Sequence, residues 1–128
     1  MSRRILIVED HLTMREAMRL VLEREGFDID EASDGDQALA AVRHDPPDLV
    51  LLDMSIPGTA GPEVLAAIKS DPSTSQVRVI VVTATGEEGR SAALSVGADH
   101  YFTKPFSPIA LLQAVEDVMG TEPDGPDG

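Results

Sequence analysis

A chain of 128 residues, 42% hydrophobic and 26% charged, has the size and balance of one globular domain that buries about two-thirds of its unfolded surface. Its net charge of -13 repels phosphate backbones, which argues against direct nucleic-acid binding, and the absence of cysteine removes disulfides, thiolate chemistry and cysteine-ligated zinc. The apolar run Ile5–Val8 is far too short for a signal-peptide core or a membrane span, and no apolar segment of export-signal length follows Arg3-Arg4; the expectation is a cytoplasmic chain without membrane attachment.

Ile5-Leu6-Ile7-Val8 is the first predicted strand. Met14, Ala17, Met18, Val21 and Leu22 then recur at i, i+3, i+4, i+7 and i+8, one face of a helix. Thr13 with Glu16 reads as a capping box at its start, and Gly26 as its stop. Phe27–Asp30 alternates like a half-exposed strand. A second helix near Gln37–Arg43 carries Ala38, Leu39 and Val42 and ends before Pro46-Pro47.

The unbroken apolar runs Leu49–Leu52 and Val79–Val82 have the pattern of central parallel strands covered on both faces. Between them, a third helix begins after Gly61 with Pro62 at its first position and presents Val64, Leu65 and Ile68. A fourth helix, near Glu87–Val96, has a thin apolar face of Ala92, Ala93, Leu94 and Val96, ended by Gly97. Tyr101-Phe102 marks a short last strand, and a fifth helix follows Ser107-Pro108 with Ile109, Leu112, Val115 and Met119. Residues 121–128, TEPDGPDG, have no apolar side chain and read as a flexible acidic tail or linker stub. Strand and helix alternate five times, which implies an α/β fold: one doubly wound, five-stranded parallel sheet with right-handed crossovers and helices on both faces.

In such sheets the functional crevice lies at the carboxyl ends of the strands. Just past each apolar run stand Glu9-Asp10, Asp53, Thr83 and Lys104. A carboxylate at the end of an apolar run is costly unless it has a partner or a task, so Asp53 is expected at the mouth of the sheet rather than in its core. Three neighbouring carboxylates repel one another unless a cation joins them, and hard oxygen donors on a partly open site suit Mg²⁺. Asp10 is expected to contact the metal directly and Glu9 mainly through water, with the Lys104 ammonium as a second positive charge. Aspartate is an established nucleophile in phosphoryl transfer, and these cations offset the charge that would arrive on it.

The segments ILIVEDH, LVLLDMSIPGTAG, VIVVTA and YFTKPF resemble, in order, the sequence signatures of the response-regulator receiver domain, the phospho-acceptor of two-component signalling. The resemblance, chemotaxis-response-regulator-like in kind, covers residues 3–120. It implies a (βα)5 flavodoxin-like fold with strand order 2-1-3-4-5. It also implies that Asp53 accepts the phosphoryl group and that Glu9, Asp10, Asp53 and the backbone carbonyl of Ser55 hold Mg²⁺. Thr83 would hydrogen-bond the phosphoryl group, and Lys104 would pair with it through a cis Lys104-Pro105 bond. Ala84 would leave room for the donor, and Tyr101 would be the switch aromatic, turning inward as Thr83 moves.

The donor would be a sensor histidine kinase or a phosphotransfer protein. The readout would be a downstream protein target or an attached output domain, through the surface of the fourth helix, fifth strand and fifth helix, with a phosphorylation-linked dimer as one form. Such a chain is not a turnover enzyme; it catalyses only its own phosphorylation and dephosphorylation. With few residues after 120, it reads as a stand-alone regulator or the receiver of a larger response regulator or hybrid kinase.

Some positions depart from the family pattern. Ala60 replaces a common acid in the loop after the third strand, and His11 stands where a third acid is common. Ser55 and Thr85 occupy positions that vary in the family and influence phosphoryl lifetime. A phosphorylation-independent docking module and an aspartate-nucleophile phosphohydrolase are the competing classes; the latter generally needs an acid two residues past the nucleophile, where this chain has Ser55.

Overall fold

The strands predicted from apolar runs form one parallel sheet in the order β2-β1-β3-β4-β5. The computed structural model describes residues 3–83, 97–103 and 107–120. Its strands are β1 (Arg4–Val8), β2 (Asp28–Ala32), β3 (Leu49–Asp53), β4 (Arg78–Thr83) and β5 (His100–Thr103). Around them lie α1 (Leu12–Arg24), α2 (Gly35–His44), α3 (Gly61–Ser70) and a C-terminal helix (Pro108–Met119). The predicted fourth helix, over 87–96, and the tail 121–128 lie outside the described residues.

Side chains alternate across a strand, and here the alternation sorts the core onto two faces. Leu6, Val8, Val50, Leu52, Val79 and Val81 pack with Ala38 and Val42 of α2 and Val64, Leu65 and Ile68 of α3. Ile5, Ile7, Leu49, Leu51, Ile80 and Val82 pack with Met18 and Leu22 of α1 and Leu111, Ala114 and Val115 of the C-terminal helix. β3 is buried along its whole length, whereas the edge strand β2 keeps alternate residues exposed. Among the described residues, no helix is long and apolar enough to cross a membrane.

The element boundaries show where side chains overrode the apolar pattern. The capping box predicted at Thr13 and Glu16 does not form: α1 begins earlier, its N-cap is His11, and no side chain caps it. The Arg15 N–H bonds the His11 carbonyl at 2.9 Å, so the helical ladder starts two residues before the predicted cap and Thr13 falls inside the first turn, while the Glu9 carboxylate accepts from the His11 N–H at 3.2 Å. At the other end Gly26 stops the helix as expected, at φ 95°. The N–H of Phe27 reaches back to the Leu22 carbonyl at 3.3 Å and that of Gly26 to Glu23 at 3.0 Å, a Schellman closure. Phe27 therefore belongs to the helix terminus, and β2 starts at Asp28 rather than at Phe27. Asp34 caps α2 by accepting from the Gln37 N–H at 2.7 Å, and Ser107 caps the C-terminal helix through Ala110.

The strand order reverses direction between β1 and β3, the position at which an open α/β sheet leaves a crevice at its carboxyl edge.

Candidate metal and phospho-acceptor site

Glu9 follows the last residue of β1 and stays in the sheet: its N–H donates to the Ala32 carbonyl of β2 at 3.0 Å. Its side chain is only 1% exposed, and its backbone carbonyl accepts from Arg15 Nη1 at 2.7 Å. Asp10, next in sequence, is exposed. Asp53 closes β3 beside Val82 of β4 and is 2% exposed. It thus lies at the carboxyl edge of the sheet, as the sequence implies, but buried there rather than open at the mouth. Its Oδ1 accepts from the Ser55 N–H at 2.8 Å, an Asx-type turn that orients the carboxylate and starts the following loop.

One carboxylate oxygen from each of Glu9, Asp10 and Asp53 lies within 4.8 Å of the other two. Three formal negative charges this close, two of them on buried side chains, repel strongly in a medium less polarisable than water. The donor set is all oxygen, carboxylate-rich and open on the Asp10 side. That combination fits Mg²⁺, which takes one or two carboxylates and keeps several waters.

The loop after β3 is fixed from several sides. Met54 N–H donates to the Val82 carbonyl at 3.1 Å, continuing the β3–β4 ladder past Asp53. Gly35 N–H, at the start of α2, donates to the Pro57 carbonyl at 3.0 Å. Thr59 Oγ1 donates to Asp36 Oδ1 at 2.5 Å. Gly58 takes φ 75°, and Gly61 brings the start of α3 against the Met54 backbone. Ser55 is therefore carried on a loop tied to β4, α2 and α3.

Thr83 ends β4, one residue past the partner of Asp53, and is buried. Tyr101 of β5 pairs with Val81, is half-buried, and packs against the cluster beneath α2 and α3. Its ring meets that of His100 edge-on at 6.0 Å between centroids. Ala84, Thr85, Lys104 and Pro105 lie outside the described residues. Sequence reasoning missed the Arg15 contact and the anchors of the loop after β3; Gly35, Asp36, Thr59 and Gly61 look like ordinary turn residues until the two loops are placed together.

A family model, the response regulator receiver domain, matches residues 5–116. The chain belongs to the response-regulator receiver family. The receiver is 43% identical over 120 residues to the phosphate regulon transcriptional regulatory protein PhoB of Klebsiella pneumoniae, covering 93% of this chain and 52% of that protein. It therefore spans about half the length of the curated relatives it matches. The chemotaxis response regulator CheY4 of Vibrio cholerae superposes with a TM-score of 0.88 at 25% identity, over 92% of this chain and 99% of that one. The receiver domain of a sensor histidine kinase from Pseudomonas aeruginosa, which has a magnesium ion coordinated in its active-site cleft, superposes at 0.86 with 25% identity, over 94% and 100%. The chain is thus a receiver domain of two-component signalling with the fold expected of it, and its work is phosphorylation-based signalling.

Proposed function

We propose that Asp53 accepts a phosphoryl group from the phosphohistidine of a sensor histidine kinase or phosphotransfer protein. A carboxylate oxygen of Asp53 attacks phosphorus, the phosphorus–nitrogen bond of the donor breaks, and the imidazole leaves with the bonding pair, taking a proton from solvent. Glu9, Asp10, Asp53 and the Ser55 carbonyl would hold Mg²⁺, which when bound supplies the positive charge that lets anionic donor and acceptor approach. The Ser55 N–H keeps the Asp53 side chain in one orientation, and burial of Glu9 and Asp53 excludes water from their inner sides. Lys104 pairs with the incoming phosphoryl group and Thr83 hydrogen-bonds it.

The added charge, roughly -1.5 to -2, then draws Thr83 and Tyr101 into a second arrangement. That shifts the surface of the fourth helix, β5 and the C-terminal helix towards its signalling population. Its reader is a downstream protein or an attached output domain, with a phosphorylation-linked dimer as one form. The chain turns over no other substrate, works in the cytoplasm, and comprises a receiver unit over 3–120 followed by an acidic tail or linker over 121–128.

The observation that supports this reading is the meeting of Glu9, Asp10 and Asp53 within 4.8 Å on a receiver fold. The test is labelling with a small phosphodonor in Mg²⁺. The native chain is expected to incorporate label that Asp53→Asn does not. Undiminished labelling of that variant would remove Asp53 as acceptor, and repeated turnover of a phosphomonoester would favour a hydrolase instead.

A further inference from the structure

We infer that Arg15 is a positioning residue for the metal-binding acid pair, acting through the peptide group that joins Glu9 to Asp10. This rests on the metal assignment of Glu9 and Asp10 above. The Glu9 carbonyl and the Asp10 N–H belong to one planar unit, so whatever orients that carbonyl constrains ψ of Glu9 and φ of Asp10, and with them the directions in which the two side chains leave the backbone. Arg15 Nη1 donates to it at 2.7 Å. The Glu9 N–H is held by Ala32, so both polar groups of the Glu9 backbone have fixed partners, one from β2 and one from α1.

Arg15 is itself anchored. Its Nε donates to Glu31 Oε1 at 2.7 Å, with the two side chains 16% and 22% exposed. The guanidinium fork therefore spans from the acid pair to β2, a geometry that a lysine with its single nitrogen cannot reproduce. Arg19, one turn along α1, takes the other Glu31 oxygen and also donates to Glu23 at 2.8 Å. Burial disfavours the charged form of Glu31, yet the hydrogen bonds from Arg15 and Arg19 outweigh it and hold the carboxyl below its usual range. Glu31 thus stays ionised as a fixed post for Arg15.

Positioning and simple electrostatics give opposite signs. A cation beside the acid pair repels Mg²⁺, so removing Arg15 would tighten metal binding if its charge were all that mattered. If Arg15 orients the pair, its loss weakens binding. Outer-shell partners of metal ligands commonly contribute about 10- to 100-fold in affinity.

The experiment is calorimetric titration of the native chain, Arg15→Gln, Arg15→Lys and the charge control Arg24→Gln with Mg²⁺ alone, each variant checked for cooperative urea unfolding. Arg24 lies exposed at the far end of α1. The expected result is about 10-fold weaker binding for Arg15→Gln, a smaller loss for Arg15→Lys, and unchanged or slightly tighter binding for Arg24→Gln. Affinity in both Arg15 variants equal to or tighter than native would overturn the inference while leaving the metal site standing. No Mg²⁺ binding by the native chain would overturn the metal site itself and this inference with it.

Discussion

At the scale of single residues, the described part of the site depends on close backbone approaches as much as on its carboxylates. A Cβ built on Gly61 would stand 2.6 Å from Met54 Cα and 2.9 Å from Met54 O. These are backbone atoms one residue from Asp53 and cannot rotate away. Alanine is the better helix former by about 1 kcal/mol in a helix interior, but Gly61 begins α3, where less of that gain applies. Forced overpacking costs about 1–3 kcal/mol, so the clash outweighs the propensity. Gly61→Ala is expected to lower unfolding free energy by about 1–3 kcal/mol in urea titrations and to weaken Mg²⁺ binding by displacing the segment that carries Ser55. Gly26→Ala is the control. Nothing lies within 4 Å of its Cβ, and it meets only the strain of φ 95°, so it should destabilise by about 1–2 kcal/mol and leave Mg²⁺ affinity alone. Equal metal affinity in Gly61→Ala and the native chain would show that the loop tolerates displacement at Met54.

At the scale of elements, the helix caps can be ranked by their geometry. Asp34 Oδ1 accepts from the Gln37 N–H at 2.7 Å, while Ser107 Oγ is 3.3 Å from the Ala110 N–H. Asp34→Ala is expected to cost about 1 kcal/mol, and Ser107→Ala less, by the same urea measurement; the reverse order would mean that distance does not rank these caps. The Asp34 cap also holds the end of α2 whose Gly35 N–H supports Pro57, so its loss should loosen the loop after β3. What was legible beforehand follows from the same physics. Apolar runs and 3.6-residue periodicity fix which segments are strands and which are helices, because burial on two faces demands them. Asp53, Glu9 and Asp10 were legible because they sit where apolar runs stop and the chain must turn at the carboxyl edge. Caps were less so: Thr13 and Glu16 fit a local rule, but the Arg15 N–H already bonds the His11 carbonyl, which makes His11 the N-cap and puts Thr13 within the helix. The Arg15–Glu31 pair was not legible at all. Its members are sixteen positions apart on different elements, and in sequence each reads as one more solvated charge.

For the molecule as a whole, 23 acidic residues against 10 Lys and Arg set two electrostatic effects against each other. Surface pairs such as Arg4–Asp30 at 3.1 Å and Arg4–Asp45 at 3.5 Å weaken as salt is added, but exposed pairs contribute only about 0–1 kcal/mol each. The self-repulsion of a net charge of -13 also weakens with salt and opposes the compact state. With so lopsided a balance the second effect wins, and NaCl is expected to raise the urea midpoint as the screening length falls towards about 10 Å near 0.1 M. Mg²⁺ should add to this in a way that NaCl at matched ionic strength does not, because an ion bound only by the folded state stabilises it by RT ln(1 + [L]/Kd). At ten times Kd that surplus is about 1.4 kcal/mol. Asp10→Asn separates the two contributions. Asp10 is the exposed member of the triad, so its replacement leaves the buried core alone and alters the net charge by one unit in 13. The NaCl response should barely change, while the Mg²⁺ surplus shrinks or disappears. A surplus that survives Asp10→Asn at full size would place the stabilising ion somewhere other than the meeting point of Glu9, Asp10 and Asp53, and would separate the acid cluster from the metal chemistry proposed for it.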